Sequence, residues 1–206
     1  MTLCNIGNTN ATFLKDGIIT RLKISDFKNY KPEEKVFFIS VNDEVLSFLK
    51  NNKMFINLEP YFVIDTIYQG LGIDRIAACY SIKNGVIVDA GSAITANSIH
   101  LGGYILPGIS SMLNAYKSIS PRLDITINSQ IDIDALPQKT SDAVSYGIIK
   151  PIITLLHKLA GDKKVYFTGG DGDFLSKFFK NAISDKMLIF RSMQKLITEK
   201  RDEIIC

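Results

Sequence analysis

Short apolar runs, broken by polar and glycine-bearing joints, alternate along this chain with stretches of helical period. "TLCNIG" at 2–7 reads as a strand. "ATFLKDGIITRLKI" at 11–24 reads as a hairpin turning at Asp16-Gly17, a dipeptide that tolerates the positive φ of a tight turn. "KVFFISV" at 35–41 is apolar on both alternating faces, which predicts a strand covered on both sides. "NDEVLSFLKNN" at 42–52 predicts a helix with Asn42 as its N-cap. "NLEPYFVI" at 57–64 predicts a fifth strand, and "GIDRIAACYSI" at 72–82 a helix with Ile76, Ala77 and Tyr80 on its apolar face.

The pattern then restarts. "GVIVDAG" at 85–91 is a strand, "AITANSIHLGGYILPG" at 93–108 a second hairpin, and "ISSMLNAYKSI" at 109–119 a helix. "TSDAVSYGIIKPIITLLHKLAG" at 140–161 predicts a long helix capped by Thr140 or Ser141 and bent at Pro151. "KKVYFTGG" at 163–170 is a strand, "DFLSKFFKN" at 173–181 a helix, "KMLIF" at 186–190 a strand, and the tail from Ser192 an amphipathic helix. No low-complexity linker separates the two series. A cut near residue 80 divides the chain into an N-terminal half, 1–80, and a C-terminal half, 81–206, of related element order. Strands alternating with helices predict α/β layering with a mixed sheet in each half.

Each half opens with the same device. The first strand ends in Asn5, with Gly7, Asn8 and Thr9 after it; its counterpart ends in Asp89, with Gly91 and Ser92 after it. A short side chain at a strand end can reach a ligand or metal, and a glycine lets backbone N–H groups approach phosphate oxygens. One copy alone is an ordinary strand exit, with Asp89 capping a turn and Gly91 at positive φ. Two copies suggest a duplicated phosphate-binding device, facing one another across a cleft, with Gly169-Gly170 and Asp171 as a third loop. No G-x-x-x-x-G-K-[ST] run is present, and "GLGIDR" lacks the last glycine of a dinucleotide fingerprint.

Composition narrows the function. Hydrophobic residues at 46% and charged residues at 22% describe a folded globular chain. A net charge of +3, with lysines spread among acidic neighbours, calls for no nucleic acid. No apolar run approaches the ~18–20 residues that a membrane span requires, so no membrane partner is expected, and the N-terminus does not indicate secretion. Cys4, Cys79 and Cys206 stand at unrelated spacings and suit a reducing cytoplasm, Cys4 and Cys79 as small core hydrophobes. His100 and His157 lack neighbouring Cys or His, which argues against zinc or a Ser-His-Asp triad.

Nucleotide held by duplicated halves is the arrangement of the acetate kinase, sugar kinase, Hsp70 and actin superfamily. Within it the chain resembles the type III pantothenate kinases through "NIGNTN" at 5–10, "GIDR" at 72–75, "DAGSAIT" at 89–95, "GGYILPG" at 102–108, "KTSDAVSYG" at 139–147 and "GG" at 169–170. The resemblance implies duplicated ribonuclease H-like (actin-like ATPase) halves, each a mixed sheet flanked by helices. It implies phosphorylation of the terminal hydroxyl of pantothenate by ATP, the first step toward coenzyme A. It further implies magnesium with the ATP, a monovalent cation (K+ or NH4+), and a homodimer whose surface lies in the C-terminal half.

Roles follow by position. The first loop, Asn5, Ile6, Gly7, Asn8, Thr9, Asn10, Ala11 and Thr12, would cradle ATP, joined by Ser92 and by Gly169 and Gly170 of an adenosine loop. Gly72, Ile73, Asp74 and Arg75 would bind pantothenate, with Asp74 as proton acceptor, Thr140 touching substrate and Tyr68 as the upstream substrate tyrosine. Asp89 would hold the monovalent cation. The residues by themselves leave Asp74 and Asp89 both open as the base; the family pattern selects Asp74. Without the other motifs, Asp74-Arg75 reads as a surface ion pair opening a helix. Where the family begins its first loop with aspartate, this chain has Asn5, which keeps the shape but lacks the charge, so weaker magnesium-nucleotide binding is expected. Two other classes compete: a non-catalytic regulatory or scaffold relative, which Asn5 favours, and a sugar kinase of the same superfamily, which "GIDR" and "KTSDAV" oppose.

Overall fold

A computed structural model describes residues 1–98 and 102–205; the turn expected in the second hairpin, His100 and Cys206 lie outside these. In chain order the elements are β1 (Thr2–Ile6), β2 (Asn10–Lys15), β3 (Ile18–Lys23), α1 (Ile24–Phe27), β4 (Val36–Ser40), α2 (Asp43–Leu49), β5 (Phe55–Asn57) and α3 (Ile73–Tyr80). There follow β6 (Val86–Ala90), β7 (Ala93–Ser98), β8 (Gly102–Pro107), α4 (Ile109–Ile119), α5 (Thr140–Ala160), β9 (Val165–Thr168), α6 (Gly172–Ser176), β10 (Ala182–Ser184), α7 (Leu188–Glu199) and α8 (Arg201–Ile205).

The chain forms two compact units. Residues 1–83 and 187–206 make the first, and residues 84–186 the second. In the first unit the sheet order is β3-β2-β1-β4-β5. β1 pairs antiparallel with β2 and parallel with β4. In the second the order is β10-β9-β6-β7-β8, the same arrangement, with β6 antiparallel to β7 and parallel to β9. An antiparallel hairpin on one side of a central strand and parallel strands on the other, built twice, is the duplicated ribonuclease H-like fold.

Local chemistry explains the joints. Asp16 and Gly17 take φ values of 49° and 81°, the left-handed pair that a two-residue hairpin turn requires. The side chain of Asn42 accepts a hydrogen bond from the N–H of Val45 at 3.0 Å and caps α2. Every residue of β4 is buried. Val36 and Phe38 join Cys4, Ile6, Phe13 and Phe27 on one face. On this sheet α3 meets β4 and α7 meets β1. In the second unit Val86, Val88, Ala90, Val165 and Phe167 pack against Ile148, Ile149, Ile152 and Ile153 of α5.

Several expectations are corrected. The apolar run at 57–64 is not a strand: pairing ends at Asn57, and Glu59–Tyr61 form a 3-10 turn around Pro60, which has no N–H for a ladder. The run at 186–190 is not a strand either; the strand is the earlier Ala182–Ser184, and Leu188, Ile189 and Phe190 open α7, whose apolar residues recur at helical spacing. Neither Thr140 nor Ser141 caps α5. Its N-cap is Lys139, without a side-chain bond. The buried face of α3 is Ile73, Arg75, Ala77, Ala78 and Cys79, while Ile76 and Tyr80 are half-buried.

The division of the chain also differs from a single cut near residue 80. The tail returns to the first unit because α7 buries Leu188, Met193 and Leu196 beside α3. Tyr80 donates to Glu199 at 2.7 Å, Ser192 donates to Ser81 at 2.9 Å, and Phe62 meets Tyr80 edge to face at 5.1 Å. Burial, reinforced by Glu199, pushes the Tyr80 hydroxyl up to about 12. His157 stacks on Phe179 with ring centroids 4.1 Å apart.

Candidate active site

In the first unit, "NIGNTN" is the turn between β1 and β2. Asn5 stands opposite Thr12 and beside Ile39, and the last paired residues are Ile6 and Ala11. Asn8, Thr9 and Asn10 are exposed at the tip, whereas the side chains of Ile6 and Ala11 lie in the core, so only their backbone can serve a ligand. The N–H of Gly7 donates to Asn10 O at 2.9 Å. The polar tip groups of Asn8, Thr9 and Asn10 are the ones presented to solvent.

The same unit assembles the "GIDR" segment. Asp74 sits in the first turn of α3, where the helix dipole favours a negative charge. Its Oδ1 accepts from the N–H of Arg75 at 2.8 Å. A Cβ on Gly72 would lie 2.8 Å from that Oδ1, so glycine there leaves the carboxylate its room. Arg75 is not a surface residue: it is 5% exposed, and its guanidinium donates to the Tyr68 hydroxyl at 3.2 Å while lying 4.6 Å from the Tyr68 ring centre. The surface ion pair that Asp74-Arg75 alone suggested is thus replaced by an Arg75–Tyr68 pair beneath a carboxylate held by backbone. Tyr68, Gly72, Asp74 and Arg75 come together; Ile73 points its side chain into the core.

In the second unit three corners converge. β6 carries Asp89 between Thr95 on β7 and Thr168 on β9. The N–H of Asp171 donates to Ala90 O at 2.9 Å, and the N–H of Gly108 donates to Ser92 O at 3.1 Å. Ser111 adds a hydroxyl bond to the same Ser92 carbonyl at 3.2 Å. Gly169 has φ +84°, and a Cβ there would fall 2.4 Å from Ala90 O and 2.6 Å from Asp89 Oδ1. A Cβ on Gly108 would fall 2.2 Å from Gly91 O. Glycine at 108 and 169 is what lets the β8–α4 and β9–α6 corners close on the Asp89 loop. The role of Gly108 was missed, although "LPG" before a helix was a visible signal.

Gly91 behaves differently. Its φ is not in the left-handed region, and a Cβ there meets nothing within 4 Å. Its N–H donates to Ala93 O at 3.0 Å, as that of Gly7 does within the first loop. Ser92 and Gly170 are exposed beside it. Thr140, in the same unit, is the exposed first residue of α5.

Asp89, Thr95 and Thr168 offer oxygen donors side by side on β6, β7 and β9. The Thr95 hydroxyl, directly across from Asp89, is buried without a hydrogen-bond partner, and burial raises Asp171 above the usual carboxylate range. Hard oxygen donors suit potassium, ammonium or magnesium better than zinc. No group of three His, Cys, Asp or Glu gathers among the described residues. No helix among those residues is long and apolar enough to cross a membrane.

Comparison with known proteins converges on one family. The family profile described as "Type III pantothenate kinase" matches residues 28–161. A type III pantothenate kinase of Campylobacter jejuni (strain RM1221) is 59% identical over 203 residues, 97% of each chain. One from Wolinella succinogenes is 44% identical over 207 residues, covering 98% of this chain and 99% of the relative. A crystal structure of a Campylobacter jejuni protein of the "Baf family" superposes with TM-score 0.90 at 56% identity, over 98% of this chain and all of the other.

Proposed function

Since this chain belongs to the type III pantothenate kinases and is an ATP-dependent kinase acting on pantothenate, we propose how its residues divide that work. Asp74 is the general base. The observation that carries this reading is its carboxylate, pinned by the Arg75 N–H at the start of α3 with Gly72 clearing the space around it. A fixed, ionised carboxylate within hydrogen-bond reach of the substrate hydroxyl takes its proton as that oxygen attacks the γ-phosphorus. Gly72, the backbone of Ile73, Arg75, Tyr68 and Thr140 bind pantothenate. The Arg75–Tyr68 pair holds the guanidinium rigid, which lowers the entropy lost on binding.

ATP falls to the residues of the first loop, Asn5 to Thr12, to Ser92, and to Gly169 and Gly170. Asp89 would hold a potassium or ammonium ion, with the orphaned Thr95 hydroxyl as neighbouring oxygen and magnesium accompanying the nucleotide. When bound, these cations neutralise charge on the transferring phosphoryl group. Two buried free thiols, Cys4 and Cys79, suit a reducing cytoplasm. The working form is a homodimer.

The deciding experiment measures phosphate transfer from ATP to pantothenate with potassium and again with sodium. Turnover is expected only, or mainly, with potassium. Asp74→Asn is expected to lower kcat by about 10²–10⁴ while pantothenate still binds in a calorimetric titration. Undiminished turnover in that variant would remove Asp74 as the base. Absence of turnover with pantothenate in the unaltered protein would reject this division of work, and absence of nucleotide binding would favour the scaffold reading.

A further inference from the structure

Between the short 3-10 turn at Pro121–Leu123 and α5, residues 124–139 form neither helix nor strand. So long a segment without structure of its own needs an anchor or a function. Apolar positions alternate along it: Leu123, Ile125 and Ile127, then Ile131 and Ile133, all pack half-buried against the core of the second unit. Ion pairs tie both ends, Lys117 to Asp124 at 2.7 Å and Lys150 to Asp134 at 3.6 Å. In the middle, Asn128 reaches α5 through two bonds and closes a local turn with its side-chain oxygen. Its N–H donates to Ser145 Oγ at 3.0 Å, its side-chain amide donates to Asp142 Oδ1 at 3.0 Å, and its Oδ1 accepts from the N–H of Gln130 at 3.0 Å.

These bonds land on a helix start that has no side-chain cap of its own. Lys139, the N-cap of α5, supplies no side-chain bond, and the first helical bond runs from Ala143 N–H to Lys139 O at 2.8 Å. Ser145, fully buried, accepts from Asn128 and donates to Ser141 O at 3.1 Å. Asn128 thus grips the first turn of α5 directly at Asp142 and, through Ser145, at Ser141. Those are the two residues that follow Thr140.

The geometry points to Asn128 as a positioning residue for pantothenate: it sets the first turn of α5, and so the place of Thr140, without touching substrate itself. This rests on the reading of Thr140 as a substrate contact. A side chain that fixes a substrate-holding turn governs how well the substrate is placed, and small misplacements are costly. The amide is needed for its mixed character, since it donates to a carboxylate and accepts from a backbone N–H at once. Aspartate at 128 would keep the acceptor but set two carboxylates against each other.

The test compares Thr140→Ala, Asn128→Asp, Asn128→Ala and the exchange Asn128→Asp with Asp142→Asn, which restores a donor and an acceptor in reversed order. Steady-state kinetics give KM for pantothenate and for ATP separately, and pantothenate binding is measured by calorimetry on protein whose fold is checked by its melting curve. Asn128→Asp and Asn128→Ala should each raise KM and Kd for pantothenate about tenfold, with KM for ATP within about twofold, and the exchange should recover most of that loss. A lowered melting temperature with unmoved pantothenate affinity would make Asn128 a purely structural tie and overturn the inference while Thr140→Ala still raised KM. Should Thr140→Ala leave pantothenate affinity unaltered, the reading of Thr140 falls, and the inference with it.

Discussion

Glycines that look alike in the sequence have opposite obligations. Gly169 is held by φ +84° and by the Ala90 carbonyl 2.4 Å from where a Cβ would be, so neither backbone nor neighbour can yield. Gly169→Ala should cost about 2–5 kcal/mol, read by urea unfolding. Gly91 has an ordinary φ and open space around it, so Gly91→Ala should leave the melting temperature unchanged. If the space over Gly91 serves nucleotide, the same variant should raise KM for ATP. Asp171 makes a second residue-level case. Burial raises its pKa, so its charged form is disfavoured in the fold; the stability it contributes is present below the unfolded pKa and is lost as pH rises through the folded one. Asp171→Asn should therefore melt higher than the parent at neutral pH, and the gain should vanish as both are taken toward pH 4.

At the level of elements, the tail is the informative case. α7 shows its apolar stripe in the sequence, but nothing local says which sheet it covers. Tyr80–Glu199 and Ser81–Ser192 record the answer: α7 lies beside α3. Leu196, wholly buried there, should cost about 2–5 kcal/mol when cut to alanine, measured as a shift in the denaturant midpoint. Such a loss would fall on the unit that carries Asp74, although Leu196 is far from it in sequence. The misread runs at 57–64 and 186–190 belong to this scale too. A short apolar run has no period long enough to distinguish strand from helix, and only pairing with a neighbour, or its absence, decides.

For the whole molecule, the proposed homodimer gives a direct measurement. Ile105, Ile119 and Leu136 on the second unit remain 58%, 74% and 81% exposed. Sedimentation equilibrium should return twice the monomer mass, and replacing Ile119 and Leu136 by aspartate should shift it toward monomer if that surface is the interface. A monomer at all concentrations would reject the dimer. The duplication is visible in two five-stranded sheets of the same order, each with its loop following the central strand.

Much of this was written locally. The Asp16-Gly17 turn, the Asn42 cap, the doubly buried β4 and both loop motifs follow from steric and hydrogen-bonding preferences of neighbouring residues, which any chain of this sequence must obey. What neighbours cannot specify is partnership at a distance. That Arg75 would turn under Tyr68, that Gly108 and Gly169 would admit two other corners to the Asp89 loop, and that Asn128 would hold the start of α5 depended on which surfaces found each other once the core closed, because close packing and hydrogen-bond saturation are properties of the assembled interior rather than of any one segment.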